Sequence, residues 1–228
     1  MVLFAYGNID MKDLLKAFPT EKLETRASDV TQPARIPFEV NTVANTNKPI
    51  VQKRDTHQAH VMLGTRAYGG NDPRHMALYL INNILGGPGM NSRLNLALRE
   101  KNGLVYTVES NLTTYCDTGV WSIYFGCDPE DVNRCLRLVK RELQRLIDTP
   151  LSESQLRAAK RQLVGQIGVS WDNGENVAIG MGKRLLHYDR TTTMQQLCQS
   201  VEALTADDLW RVAQEILQPD KLTTLIYK

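Results

Sequence analysis

Arg99 and Tyr106, seven positions apart, are the side chains in this sequence best placed to do chemistry. Between them runs Glu100-Lys101-Asn102-Gly103-Leu104-Val105. Arg99 falls near the end of a predicted helix, and Tyr106 on the strand that follows a turn at Gly103. Such a reversal brings a guanidinium and a phenol near one face of a sheet. Together they offer donors to a peptide carbonyl or to a developing oxyanion. On the residues alone, the plainer reading is a helix-end arginine near the helix dipole and a core tyrosine.

Other stretches carry weaker chemistry. Gly86-Gly87-Pro88-Gly89-Met90-Asn91-Ser92-Arg93 precedes a predicted helix, where free amides and Arg93 would suit an anion. It lacks Gly-Lys-Ser/Thr and the GxGxxG spacing, and it follows a helix instead of a strand. The simpler reading is a corner, with Gly86 or Gly87 closing one helix and Asn91 or Ser92 capping the next. His57 and His60 are close in sequence, while His75 and His187 stand alone. Neither HExxH nor HxxEH occurs, so the histidines read as surface or partly buried residues. No GxSxG elbow is present. Cys116, Cys127, Cys135 and Cys198 show no metal-type spacing and are expected to be free thiols. Cys135 and Cys198 sit among apolar residues of predicted helices and read as small core residues.

The elements that must position these residues follow from periodicity and capping signals. Strands are predicted at Val2 to Gly7, Pro49 to Lys53, Ala59 to Arg66, Leu104 to Leu112, Val120 to Cys127 and Leu222 to Tyr227. In the fourth, Leu104, Tyr106 and Val108 alternate with Val105, Thr107 and Glu109. The fifth is apolar on both faces, as a covered central strand would be. Asp117-Thr118-Gly119 joins these two as a hairpin. Helices are predicted at Met11 to Phe18, about 73 to 85, Ser92 to Lys101, Asp131 to Ile147, Glu153 to Val169, Asn173 to His187, Met194 to Val201 and Asp208 to Leu217. Residues 19 to 48 read as a long surface connection, with one extended piece around Ile36 to Val43. Hairpin strands are antiparallel, and runs of strands followed by runs of helices indicate an α+β fold. The expected architecture is an antiparallel sheet with helices packed mainly on one face.

Composition narrows the function classes. The 228 residues carry 27 basic and 25 acidic side chains, with 42% hydrophobic residues, as in an ordinary globular chain. A nucleic-acid binder working through bulk positive charge is excluded by that balance. No apolar run reaches the ~20 residues that cross a bilayer, so no membrane partner is expected. No basic, apolar, small-residue leader opens the sequence, which in an excised domain says nothing about compartment; the compartment is left open, with the cytoplasm slightly favoured. The abrupt apolar start, Met1-Val2-Leu3-Phe4-Ala5-Tyr6-Gly7, reads as a strand already inside a fold, as in a domain excised from a longer protein.

Several spaced motifs then carry a resemblance. Leu80-Ile81-Asn82-Asn83-Ile84-Leu85-Gly86-Gly87, Gly89-Met90-Asn91-Ser92-Arg93-Leu94 and Leu98 through Tyr106 resemble the second domain of the pitrilysin-like zinc peptidases, the M16 family. Val2 through Asp10 looks like the strand and "GN(V/I)D" segment that opens this domain. Gln58-Ala59-His60-Val61-Met62-Leu63-Gly64 is similar to its "QAHV-x-LG" strand. Pro88 departs from the family's glycine run. The likeness covers most of residues 1 to 150.

The resemblance implies a single domain over residues 1–228, one of two α+β halves closing as a clamshell around a peptide. In such enzymes the first half supplies HxxEH, and with it the zinc and the general base. The second supplies an arginine and a tyrosine, which Arg99 and Tyr106 match. Tyr106 would hydrogen-bond the scissile carbonyl or its tetrahedral intermediate, and Arg99 would hold Tyr106 or the substrate backbone. Lacking HxxEH, this chain alone is expected to bind no catalytic zinc and to cleave nothing. Its expected partners are a peptide substrate and an HxxEH-bearing domain or subunit. Two free halves with apolar interfaces could self-associate, and a homodimer formed in that way would be an artefact of excision. The alternative is a non-catalytic structural subunit, and a third reading is an anion-binding module at Ser92 and Arg93.

Overall fold

The computed structural model describes residues 5–18, 48–54 and 56–228. The first half of the strand expected at Val2 to Gly7, and the connection expected at 19 to 48 up to residue 47, lie outside them. Ala5 to Gly7 is irregular, and α1 (Met11–Ala17) follows, capped by Asp10, whose side chain accepts from the Lys12 amide.

Five strands form one sheet: β1 (Ile50–Gln52), β2 (Ala59–Ala67), β3 (Val105–Thr114), β4 (Gly119–Cys127) and β5 (Thr223–Tyr227). Their order is β1-β5-β2-β4-β3, which leaves β3 at an edge. The pairs β5–β2, β2–β4 and β4–β3 are antiparallel, as expected. The β1–β5 pair is parallel, so the sheet is mixed at that end. The chain reaches β5 only after all the helices, and it returns alongside β1 instead of through a tight turn.

Helices cover one face of the sheet. Val61, Leu63, Trp121, Ile123 and Phe125 point into that side and are fully buried. Across the pleat, Met62 and Val120 are exposed. The expectation that β4 is covered on both faces therefore fails. Its burial alternates along the first half of the strand, and apolar content there reflects β-propensity as much as burial. α2 (His75–Gly86) packs on β3, while α3 (Val132–Asp148) packs on α7 (Ala206–Ile216). On α3, Val132, Cys135, Leu136, Val139, Leu143 and Leu146 recur at helical spacing and are buried throughout. α4 (Glu153–Trp171) buries Leu163 and Ile167, and α6 (Met194–Glu202) lies against it. α5 (Gly174–Tyr188) buries no residue, in keeping with the glycines that weaken its packing face.

Caps fix the helix starts. The Thr205 hydroxyl accepts from the Asp208 amide, and the Asp208 carboxylate accepts from the Thr205 amide and hydroxyl. These bonds hold the Asp208 carboxyl below its usual range. Thr205→Ala removes the capping hydroxyl and should lower stability by about 1 kcal/mol, read from the midpoint of urea denaturation. An unchanged midpoint would show that the box is not needed.

Candidate functional site

Arg99 and Tyr106 are delivered to one cleft by a short reversal. A π-helix, Asn95–Glu100, replaces the longer α-helix expected at Ser92 to Lys101. Leu94, Ala97 and Leu98, at helical spacing, are buried on its inward side. Gly103 follows with φ of +60°, a left-handed conformation that glycine adopts without strain. The Gly103 amide donates to the Arg99 carbonyl and the Leu104 amide to the Leu98 carbonyl, so the helix end is satisfied as the chain turns into β3. The Asn102 side-chain amide also donates to the Ala97 carbonyl.

Tyr106 sits at a β-bulge. Val105 pairs with Cys127 and Thr107 with Gly126, so Tyr106 is the extra residue between them. The alternation predicted for this strand breaks there. Tyr106 does not join the buried face with Val108, and it is 61% exposed. The reading of Tyr106 as a core residue is thereby excluded. Arg99 is likewise exposed.

The cleft has a volume of about 690 Å³ and runs along β3 from Tyr106 to Asn111. Its opposite wall comes from two helices. α2 contributes Tyr79, Asn82, Asn83 and Gly86, and α4 contributes Leu163, Gln166, Ile167 and Ser170. Both sets repeat at i, i+3, i+4 and i+7, which is one helix face. That spacing was the available signal for them, but only packing of α2 on α4 reveals that the two faces meet. The Asn83 side chain donates to Gln166 across this seam. Gly86 lets α2 come close to the strand, because a Cβ there would lie 2.5 Å from the Ser110 amide nitrogen.

The cleft floor is fixed by three side chains from three elements. The Trp121 indole N–H donates to Ser110 Oγ at 3.0 Å and to Asn82 Oδ1 at 3.2 Å. The Ser110 hydroxyl in turn donates to Asn82 Oδ1 at 2.6 Å. Above the floor, the outer edge of β3 has no neighbouring strand among the described residues. An edge of this kind offers backbone donors and acceptors to an extended chain.

Gly86, Gly87, Pro88, Gly89 and Met90 of the glycine stretch also line this cleft, whereas Ser92, Arg93, the histidines and the cysteines do not. His60 Nδ1 lies 2.8 Å from the Tyr124 hydroxyl, and His75 Nε2 lies 2.9 Å from Thr114 Oγ1. Burial, with Arg184 nearby, keeps His75 below the usual imidazole range. His187 Nδ1 is 3.6 Å from Cys116 Sγ, a contact invisible in sequence. All four cysteines are free. Among the described residues no three His, Cys, Asp or Glu side chains converge as metal ligands. The donor set here does not suit a catalytic zinc. No helix among the described residues is long and apolar enough to cross a membrane.

Residues 1–163 match the family model described as the peptidase M16 inactive domain. A Streptomyces coelicolor protein named an uncharacterized zinc protease is 29% identical over 219 residues, covering 95% of this chain and 48% of that protein. A Bacillus subtilis protein of the same description is 26% identical over 229 residues, covering 99% and 53%. The beta subunit of the mitochondrial processing peptidase of Bos taurus is 30% identical over 156 residues, covering 65% and 32%. The chain thus spans about half the length of the first of these relatives. Among solved structures, a peptidase M16 inactive domain from Pseudomonas fluorescens has a TM-score of 0.70 at 24% identity, covering 78% of this chain and 42% of that one.

Proposed function

Since the chain belongs to the M16 peptidase family, whose inactive-domain model it matches, we propose that it is the substrate-clamping, transition-state-assisting half of a zinc metalloendopeptidase. The observation that carries this reading is the opening of Arg99 and Tyr106 on one cleft, along the edge of β3 that has no neighbouring strand among the described residues.

A peptide lies along that edge as an added strand and is held by main-chain hydrogen bonds. The bulge sets the Tyr106 phenol outside the run of the strand, where it donates to the scissile carbonyl. The bond strengthens as negative charge gathers on that oxygen. Arg99 holds the phenol or the substrate backbone in place with a planar fork of donors. The zinc and the general base come from an HxxEH-bearing domain or subunit, which closes over the peptide from the other side. This chain contributes binding, orientation and one oxyanion donor.

Peptidase assays with added zinc test the proposal. The chain alone should cleave nothing, and its mixture with the HxxEH-bearing half should cleave a broad peptide library. An assembled, zinc-loaded mixture that remains inactive would assign the chain to a structural subunit instead.

A further inference from the structure

A second cleft lies between α3 and the π-helix, with a volume of about 540 Å³, and it shares no lining residue with the first. Arg93, Lys101, Arg141 and Arg145 line it, against Glu142 and Asp148, which leaves a surplus of positive charge. The two carboxylates already have partners. Glu142 is only 5% exposed and accepts from Arg145 Nη1 at 2.8 Å, with Arg141 Nε at 3.8 Å. Asp148 accepts from the Gln144 side chain.

The cations facing them are less well matched. Arg93 is half-buried, yet among the described residues its guanidinium makes no hydrogen bond or ion pair. Burial holds its pKa below the usual arginine range, with Arg145 adding to the effect and Glu142 opposing it. Lys101 is exposed and has no side-chain partner among the described residues. The next residue before Arg93 is also incomplete. Ser92 is 4% exposed, and its hydroxyl is buried without a hydrogen-bond partner among the described residues. Ser92 borders a smaller hollow that shares Arg93, Leu151 and Gln155 with the cleft. A half-buried guanidinium and a sealed hydroxyl are both costly without acceptors.

We propose that this cleft binds a small polyanion of the phosphate class, with Arg93 as its central donor and Lys101 and Arg141 around it. A guanidinium presents paired donors that match phosphate oxygens. The charge surplus calls for more than one negative charge, and the volume exceeds that of a single phosphate group. The site is independent of the peptidase reading, because none of its residues lines the cleft at Arg99 and Tyr106.

Calorimetric titration of the 228-residue chain with sodium tripolyphosphate tests it. One-site binding is expected, weakening as salt rises. Arg93→Gln should weaken it at least about tenfold. Lys101→Gln, at an exposed position where folding is not at stake, should weaken it as well. Arg157→Gln, outside the cleft on exposed α4 surface, should not. Citrate should bind more weakly than tripolyphosphate. Absence of binding, equal loss in all three variants, or citrate binding as tightly would each overturn the proposal.

Discussion

Tyr106→Phe should cut the kcat of the assembled peptidase by about two to three orders of magnitude. The substitution removes one hydroxyl and keeps the ring, so β3, its bulge and the cleft wall are left as they were. KM should stay within about threefold, because a donor aimed at the developing oxyanion contributes chiefly in the transition state. The two parameters separate the possible roles. A rise in KM at constant kcat would make Tyr106 a ground-state contact, and unchanged kinetics would leave it a surface tyrosine. The exposure of the phenol makes the test clean, since a 61% exposed side chain supports little of the core. Arg99→Lys keeps the positive charge and loses the planar fork, so activity should fall there too if Arg99 positions the phenol or the peptide.

Trp121→Ala should lower stability by about 3–5 kcal/mol, a large share of the roughly 5–15 kcal/mol typical of a folded domain. The indole is fully buried on β4, and its removal leaves a cavity in the centre of the sheet-facing core. It also strips a donor from Ser110 and from Asn82, the two polar groups under the cleft. Trp121→Phe separates these effects. It keeps an aromatic ring in most of the volume and loses the N–H with part of the bicycle, so it should cost about 1–3 kcal/mol. Urea denaturation reads both. A loss for Trp121→Ala no greater than for Trp121→Phe would mean that the polar trio, and not the filled volume, dominates at this position.

Periodicity made most of this fold legible. The stripe of α3, the cap at Thr205 and the hairpin at Asp117-Thr118-Gly119 are local statements, and local physics decides them. The parallel pairing of β1 with β5 was not legible, because it joins strands separated by nearly the whole described chain. Within the site, Arg99 and Tyr106 stood out through family resemblance and a plausible turn at Gly103. The bulge that exposes Tyr106 left no mark on the alternation of Leu104, Tyr106 and Val108. Asn82, Gln166 and Ser170 lie on helix faces that the sequence shows, but their meeting depends on how two helices pack. The polyanion cleft is a similar case. Its cations come from two separate stretches of chain, and the unmatched state of Ser92 and Arg93 is a tertiary property.

The outer edge of β3, unpaired among the described residues, bears on how the chain behaves in concentrated solution. A row of unpaired amides and carbonyls that can accept a peptide can accept a neighbouring copy equally well, and repeated pairing of that kind leads to aggregates. Two properties of the strand oppose this. Its outward-facing residues Thr107, Glu109, Asn111 and Thr113 are polar or charged, so a stacked copy gains no apolar contact and sets Glu109 near its own image. The bulge at Tyr106 interrupts the regular hydrogen-bond ladder at one end, which shortens the flat stretch available to a second strand. The irregularity that turns the phenol outward therefore also helps keep an uncovered sheet edge soluble.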